Sequence, residues 1–186
     1  MQANWRIRKR GSITSVLVLD IKNAYLTVRA APFAKICIQI KLFTEFIKWF
    51  ISFMSDRTIR FAFDSEISVI IGINDGIPQG SPVSLIMFLI FIQHVIGALK
   101  HRNEIVILNY ADDLAIIIES LCARINSIRL QLVLRQLIKA ADEIQIQFDA
   151  DKSEYIHFYK SKDLINIGIT LTFITYEDSK TVEIRP

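Results

Sequence analysis

Short apolar runs and longer stretches with apolar residues at helical spacing alternate along this chain. Residues 15–19 form a β-rich apolar run that stops at Asp20, the pattern of a buried strand. Residues 33–54 carry Phe, Ile and Trp at helical spacing, with Lys35, Lys41, Glu45 and Lys48 among them, which predicts an amphipathic helix. Two β-rich runs follow at 58–63 and 67–73, and Asp64-Ser65-Glu66 between them fits a three-residue hairpin loop. A loop bearing Gly and Pro, residues 76–82, leads into an uncharged helix at 83–99. Two further apolar runs, 104–109 and 114–118, are separated only by Tyr110, Ala111, Asp112 and Asp113, the length of a tight hairpin. A second long helix is predicted over 122–144, a turn at 149–153, and closing strands at 154–159 and 165–174. The order strand, helix, two strands, helix, hairpin, helix, strand is an α+β plan, with helices packed on one face of a mainly antiparallel sheet.

Repeats, low-complexity tracts and Pro/Gly/Ser-rich linkers are absent, so the 186 residues read as one domain. Hydrophobic residues make up 52% of the chain, which excludes disorder as the governing state. Twenty-two basic and 19 acidic residues leave a formal charge of +3, which permits a polyanionic partner without requiring one. The basic residues Arg6, Arg8, Lys9 and Arg10 fit a solvated charge run, and phosphate contact is the alternative. Cys37 and Cys122 lie far apart without a CxxC partner, so neither a zinc site nor a disulfide framework is indicated, and two buried thiols in a reducing compartment are expected. Residues 77–99 are uncharged over a length that could span a bilayer. Pro78, Gln79, Gly80, Ser81 and Pro82 at its start favour a core helix, and a small membrane protein is the competing reading. No signal peptide is visible, and an intracellular location, nucleus or cytoplasm, is expected.

The carboxylates carry the chemistry. Asp20 ends a buried strand, and Asp112 and Asp113 occupy the tip of a hairpin with buried arms. If those strands are neighbours, three negative charges converge at one edge of the sheet, a costly arrangement that divalent cations relieve. Mg²⁺ takes one or two carboxylates and leaves positions for water and phosphate, and two such ions suit phosphoryl transfer. The plain alternative is that each Asp caps or turns the chain.

The loops decide between these. Val-Leu-Asp-Ile-Lys-Asn-Ala-Tyr at 18–25, Gly-Ile-Pro-Gln-Gly-Ser-Pro-Val-Ser at 76–84 and Asn-Tyr-Ala-Asp-Asp-Leu at 109–114 resemble three successive motifs of reverse transcriptases, in order. The likeness is to the enzymes of non-LTR retrotransposons, particularly fungal endonuclease/reverse transcriptase polyproteins. Residues 49–57 and 148–158 resemble two further segments of that family, so the likeness runs from about Val16 to about Phe158. It implies a polymerase palm that performs RNA-directed DNA synthesis. Asp20 and Asp112 would hold two Mg²⁺ ions, for which Mn²⁺ can substitute, with the Ile21 carbonyl as a further ligand and Asp113 in support. Tyr25 matches the ring that excludes a ribose 2′-hydroxyl, and Gln79 and Gly80 match a loop against the incoming nucleotide and template. Lys152 matches a lysine that protonates the leaving pyrophosphate.

Partners implied by the resemblance are an RNA template, a DNA primer, deoxynucleoside triphosphates and the fingers and thumb of a parent polyprotein, with no membrane. Two positions depart from the pattern: Leu26 stands where the family usually has Asp, and Asn23 where it often has Gly. The segments matching fingers and thumb are largely absent, so the isolated chain is expected to be inactive. A catalytically incompetent retroelement remnant is the alternative.

Overall fold

The computed structural model describes residues 12–99 and 104–158, together with two strands at Leu171–Ile174 and Thr181–Ile184. The architecture is α+β, and it organises into two compact units. The first comprises Met1–Lys22, Ala98–Ala140 and Gln147–Pro186, and the second Asn23–Gly97 with Ala141–Ile146. Arg6, Arg8, Lys9 and Arg10 lie outside the described residues.

At the centre of the first unit is β1 (Ile13–Ile21), whose residues alternate between buried and half-buried. It pairs antiparallel with β7 (Asp113–Ser120) on one side and β8 (Phe148–Phe158) on the other. Adding β6 (Ile105–Tyr110) gives a four-stranded sheet ordered β6-β7-β1-β8. Ile13, Leu17, Leu19 and Ile21 of β1, Leu114, Ile116 and Ile118 of β7, and Tyr155 of β8 are buried. The opposite face carries the exposed Val106, Leu108 and Tyr110, the exposed Ile156 and Phe158, and the half-buried Asp20. One face buried and one open is the usual state of an antiparallel sheet. A further hairpin, β9 (Leu171–Ile174) with β10 (Thr181–Ile184), pairs Leu171 with Ile184.

The covering element on the buried face is α4 (Ala123–Glu143), and polar contacts as well as apolar ones hold it there. Asn126 Nδ2 donates to the Ile13 carbonyl and to Ser15 Oγ, both at 2.9 Å. The Ser127 hydroxyl meets the Tyr155 hydroxyl at 2.6 Å, and Ser15 Oγ lies 2.7 Å from His157 Nδ1. These groups are buried or half-buried, so each bond avoids the cost of an unsatisfied polar atom and sets the helix over one stretch of β1. Burial raises the Tyr155 pKa and lowers that of His157.

In the second unit, Asn23 opens a short 3-10 turn, Ala24–Leu26. The amphipathic stretch expected as one helix over 33–54 is two, α1 (Ala30–Gln39) and α2 (Thr44–Met54). Lys41 sits at φ 58° between them, and its N–H closes on the Ile38 carbonyl. Periodicity runs through this break without a Gly or Pro to mark it, so the pattern alone misses it. Phe33 of α1 packs on Phe50 of α2, ring centroids 4.0 Å apart, and on Phe91 of α3 (Pro82–Gly97) at 6.4 Å. No described helix is long and apolar enough to cross a membrane, and α3 has 16 residues.

The hairpin between α2 and α3 is interrupted. β2 (Arg57–Ile59) pairs with β5 (Ile71–Ile73), and β3 (Ala62–Phe63) with β4 (Glu66–Ile67). Its tip is two residues, Asp64 at φ 46° and Ser65 at φ 70°, where three were expected, because Glu66 pairs with Phe63. Two successive positive φ values match the right-handed twist of the arms. The turn expected at 149–153 is instead part of the continuous strand β8. Pairing with β1 overrides the local turn preference of Asp and Ser there. Of the closing strands, residues 159–170 fall outside the description and Leu171–Ile174 is β9.

The His157 environment yields a pH test. A folded pKa below the ordinary value means that the unfolded chain binds the proton more tightly. The contribution is therefore complete above the unfolded value of about 6.5 and is lost as pH falls through the folded one. Between pH 7 and pH 5 the urea midpoint should fall more in the wild type than in His157→Gln. Parallel pH profiles for the two would show that His157 is not desolvated.

Candidate active site

The strand order brings the carboxylates to one end of one face. β1 and β7 pair from Ile13 with Ser120 through Leu19 with Leu114, and the same register continued by one residue sets Asp20 level with Asp113. Asp112 lies in the two-residue turn closed by the Tyr110–Asp113 pair. Its neighbour Ala111 is at φ 52°, a left-handed conformation that costs an L-residue roughly 1–2 kcal/mol. Ile21, the last residue of β1, is buried and pairs with Phe148.

On the other side of β1 the register shifts between Val18 and Asp20, and this irregularity sets Asp149 opposite Asp20. Such bulges re-aim side chains. Here Lys152 Nζ lies 3.3 Å from Asp20 Oδ2 and 3.8 Å from Asp149 Oδ2. The lysine head is largely exposed and the two carboxylates largely covered, with side-chain exposures of 66%, 24% and 22%. Lys152 thus offsets part of the negative charge at this end of the sheet. Asp149 was not singled out by its sequence, because its segment reads locally as a turn. The available signal was the likeness of residues 148–158 to a family segment, within which Asp149 stands.

Among the described residues, no three His, Cys, Asp or Glu side chains are grouped closely enough to form a metal cage. The Asp20 carboxylate is turned to Lys152, and Asp112 sits beyond the strand ends. The donor chemistry nevertheless suits Mg²⁺. Two carboxylates in register, a third in the adjoining turn and a strand-end carbonyl are all hard oxygen donors, and Mg²⁺ draws its remaining ligands from water and phosphate.

Tyr25, Gln79 and Gly80 belong to the second unit. Tyr25 is half-buried in the 3-10 turn, its ring stacked on Phe88 with centroids 5.4 Å apart and planes at 24°. Gln79 and Gly80 form the exposed tip of the loop before α3. Gly80 is at φ 88°, and a Cβ there would meet nothing within 4 Å, so its backbone conformation, not space, requires glycine. Asn23 is at φ 53°, which explains how Asn can stand where related chains often have Gly: its short polar side chain tolerates the left-handed region. Leu26, in the position usually held by Asp, is exposed and lies against Gly76. Cys37 is buried, which pushes its thiol up to about 11, whereas Cys122 is half-buried where a buried thiol was expected.

These features define a class: an α+β chain whose central strand and neighbouring hairpin bring acidic side chains to one end of an antiparallel sheet. The family model for reverse transcriptase (RNA-dependent DNA polymerase) matches residues 3–182, and the chain belongs to that family. No curated protein sequence matches it. Among solved structures it is similar to apo telomerase from Candida tropicalis truncated from its C-terminal domain. That match has a TM-score of 0.58 and 12% identity, covering 97% of this chain and 36% of the other. Telomerase from Candida tropicalis in complex with a TWJ fragment of telomeric RNA matches with a TM-score of 0.56 and 12% identity, covering 93% and 29%. The chain thus spans about a third of the length of these structures, and the likeness is one of fold.

Metal titration tests the site. By calorimetry the chain should bind Mn²⁺ weakly, and Asp112→Asn should abolish the binding. Lys152→Met should tighten it by up to about fivefold, since it removes a cation from an exposed pair. Equal binding by wild type and Asp112→Asn would remove Asp112 from the site.

Proposed function

We propose that this chain is the nucleotidyl-transfer palm of an RNA-directed DNA polymerase from a non-LTR retrotransposon, its 186 residues acting as one palm domain. The observation that carries the reading is the β1–β7 register, which runs to Leu19 with Leu114 and so brings Asp20 to the turn of Asp112 and Asp113, in a chain of the reverse transcriptase family. The five family-like segments support the retrotransposon origin. Partners on this reading are an RNA template, a DNA primer, deoxynucleoside triphosphates and the fingers and thumb of the parent polyprotein.

Asp20, Asp112 and the Ile21 carbonyl would hold two Mg²⁺ ions, with Asp113 in support. Bound there, the ions would acidify the primer 3′-hydroxyl and neutralise charge on the triphosphate. In the reaction the 3′-hydroxyl gives up its proton to solvent and its oxygen forms a bond to the α-phosphorus while the bond to pyrophosphate breaks. Lys152, three residues beyond Asp149 on β8, supplies a proton to the departing pyrophosphate. Its ammonium in the ground state is paired with Asp20, so that contact must open for the transfer. Tyr25 sets its ring beneath the sugar, where it excludes a ribose 2′-hydroxyl, and Phe88 stacks on that ring. Gln79 and Gly80 meet the nucleotide and template through an exposed loop. Positioning and charge neutralisation account for catalysis of this kind, without a covalent intermediate.

Primer extension on an RNA template tests the proposal, with Asp112→Asn as the blank. The unsupplemented chain should not extend a primer, because phosphate contacts supply much of such an enzyme's grip and the net charge is only +3. A chimera completed with fingers and thumb from a related element should extend it. In that chimera Tyr25→Ala should raise ribonucleotide incorporation relative to deoxyribonucleotide, with a smaller change in overall rate. A folded chimera no more active than its Asp112→Asn blank would overturn the assignment.

A further inference from the structure

The loop carrying Gln79 and Gly80 is fastened to the turn carrying Tyr25 by its backbone. Gly76 N–H donates to the Val28 carbonyl at 3.0 Å, and Ile77 N–H donates to the Tyr25 carbonyl at 2.8 Å. Gly76 and Ile77 are buried, whereas Pro78, Gln79 and Gly80 are exposed, so the anchor lies at the root of the loop and the candidate contact residues at its tip. Gly76 is required there twice over. Its φ is 77°, which L-residues avoid, and a Cβ would stand 2.9 Å from Leu26 Cα and 3.3 Å from the Leu26 carbonyl oxygen. Both obstacles are main-chain atoms of the 3-10 turn, and no side-chain rotation relieves them.

The preceding residue closes the fastening. The Asp75 carboxylate lies 3.5 Å from Arg29 Nε, and the Asp75 carbonyl accepts from Arg57 Nη2 at 3.3 Å. Arg29 also donates to Gln145 Oε1, and Arg57 Nε donates to the Met54 carbonyl at 3.2 Å. The two arginines therefore tie Asp75 both to the segment after the Tyr25 turn and to the end of α2. Beyond the loop, α3 returns Phe88 to the Tyr25 ring. Backbone rungs at one end and a stacked ring at the other leave the turn and the loop little independent movement.

We infer that Gly76 and Asp75 are positioning residues that lock the Tyr25 turn and the Gln79–Gly80 loop into one body, so that discrimination between deoxyribose and ribose depends on them. This rests on the polymerase reading above. Neither residue touches the nucleotide. They act by fixing where the Tyr25 ring stands relative to the loop that meets the same nucleotide. A small displacement of the ring admits the 2′-hydroxyl, and the loss is one of selectivity before it is one of rate.

The test pairs amide hydrogen exchange with nucleotide selection, using Gly76→Ala and the milder Asp75→Asn. The second variant keeps the carbonyl that Arg57 binds and the shape of the side chain, so it folds where the first is strained. Exchange at the Ile77 amide should quicken by about tenfold in Gly76→Ala and less in Asp75→Asn, with the Leu17 and Ile116 amides unchanged. In the completed polymerase, the ratio of kcat/KM for deoxyribonucleotide over ribonucleotide should fall by about tenfold in Gly76→Ala and in the same direction in Asp75→Asn. A loss of folded protein alone would lower both substrates together and leave that ratio intact. An unchanged Ile77 amide in both variants overturns the fastening. A loosened loop with an unchanged ratio overturns its role in selection. A wild-type polymerase that extends no primer overturns the polymerase reading and the selectivity claim with it, while the exchange data still decide whether the fastening exists.

Discussion

The central position of β1 is the constraint on which the first unit depends. A strand paired on both edges has its register determined twice, by β7 and by β8, and its inner side chains are sealed under α4. A slip of one residue would turn Leu17 and Leu19 outward and bury Asp20, which apolar burial and carboxylate desolvation both oppose. Asp20 is therefore held on the open face, level with Asp113 on one side and opposite Asp149 on the other. The Asn126 contacts with Ile13 and Ser15 reinforce this from above, because they are satisfied only when α4 sits over that stretch of β1.

The backbone departs from regular geometry where the candidate site residues are. Asn23 precedes the Tyr25 turn, Ala111 precedes Asp112, and Gly76 and Gly80 bracket Gln79, all at positive φ. Asn23 and Ala111 turn the chain just after β1 and β6, and the two glycines shape the loop before α3. For Ala111 the conformation is held against an intrinsic cost by the Tyr110–Asp113 pair that closes the hairpin. At Gly76 the same geometry allows two backbone segments to touch.

Lys152 connects the electrostatics of the sheet end to its shape. Without the register shift, regular pairing would set Lys152 opposite Asp20 and carry Asp149 away from it; with the shift, one ammonium lies near both carboxylates. Two carboxylates sharing one exposed lysine leave a net negative site, which suits cations better than a fully neutralised one would.

Much of this was legible in the chain. The apolar run of residues 15–19, the uncharged run before residue 99 and the apolar arms around Asp112 and Asp113 announced β1, α3 and the β6–β7 hairpin. Their loops carried the likeness to reverse transcriptases that the match over residues 3–182 bears out. These features are local: periodicity and turn composition act within a few residues, and a sequence displays them directly. Other features were decided by contacts between distant segments. The break at Lys41 follows from packing Phe33 against Phe50, and no Gly or Pro marks it. The turn-like Asp149–Ser153 segment became strand because β1 offered an edge to pair with, and that same pairing brought Asp149 and Lys152 to Asp20. The clash between a Gly76 side chain and Leu26 joins residues fifty positions apart in a 186-residue chain, and no local pattern encodes it. Local pattern and loop wording indicated most of the elements and named the candidate residues. Register, burial and backbone contact determined which of them meet, because those are properties of paired segments and not of either segment alone.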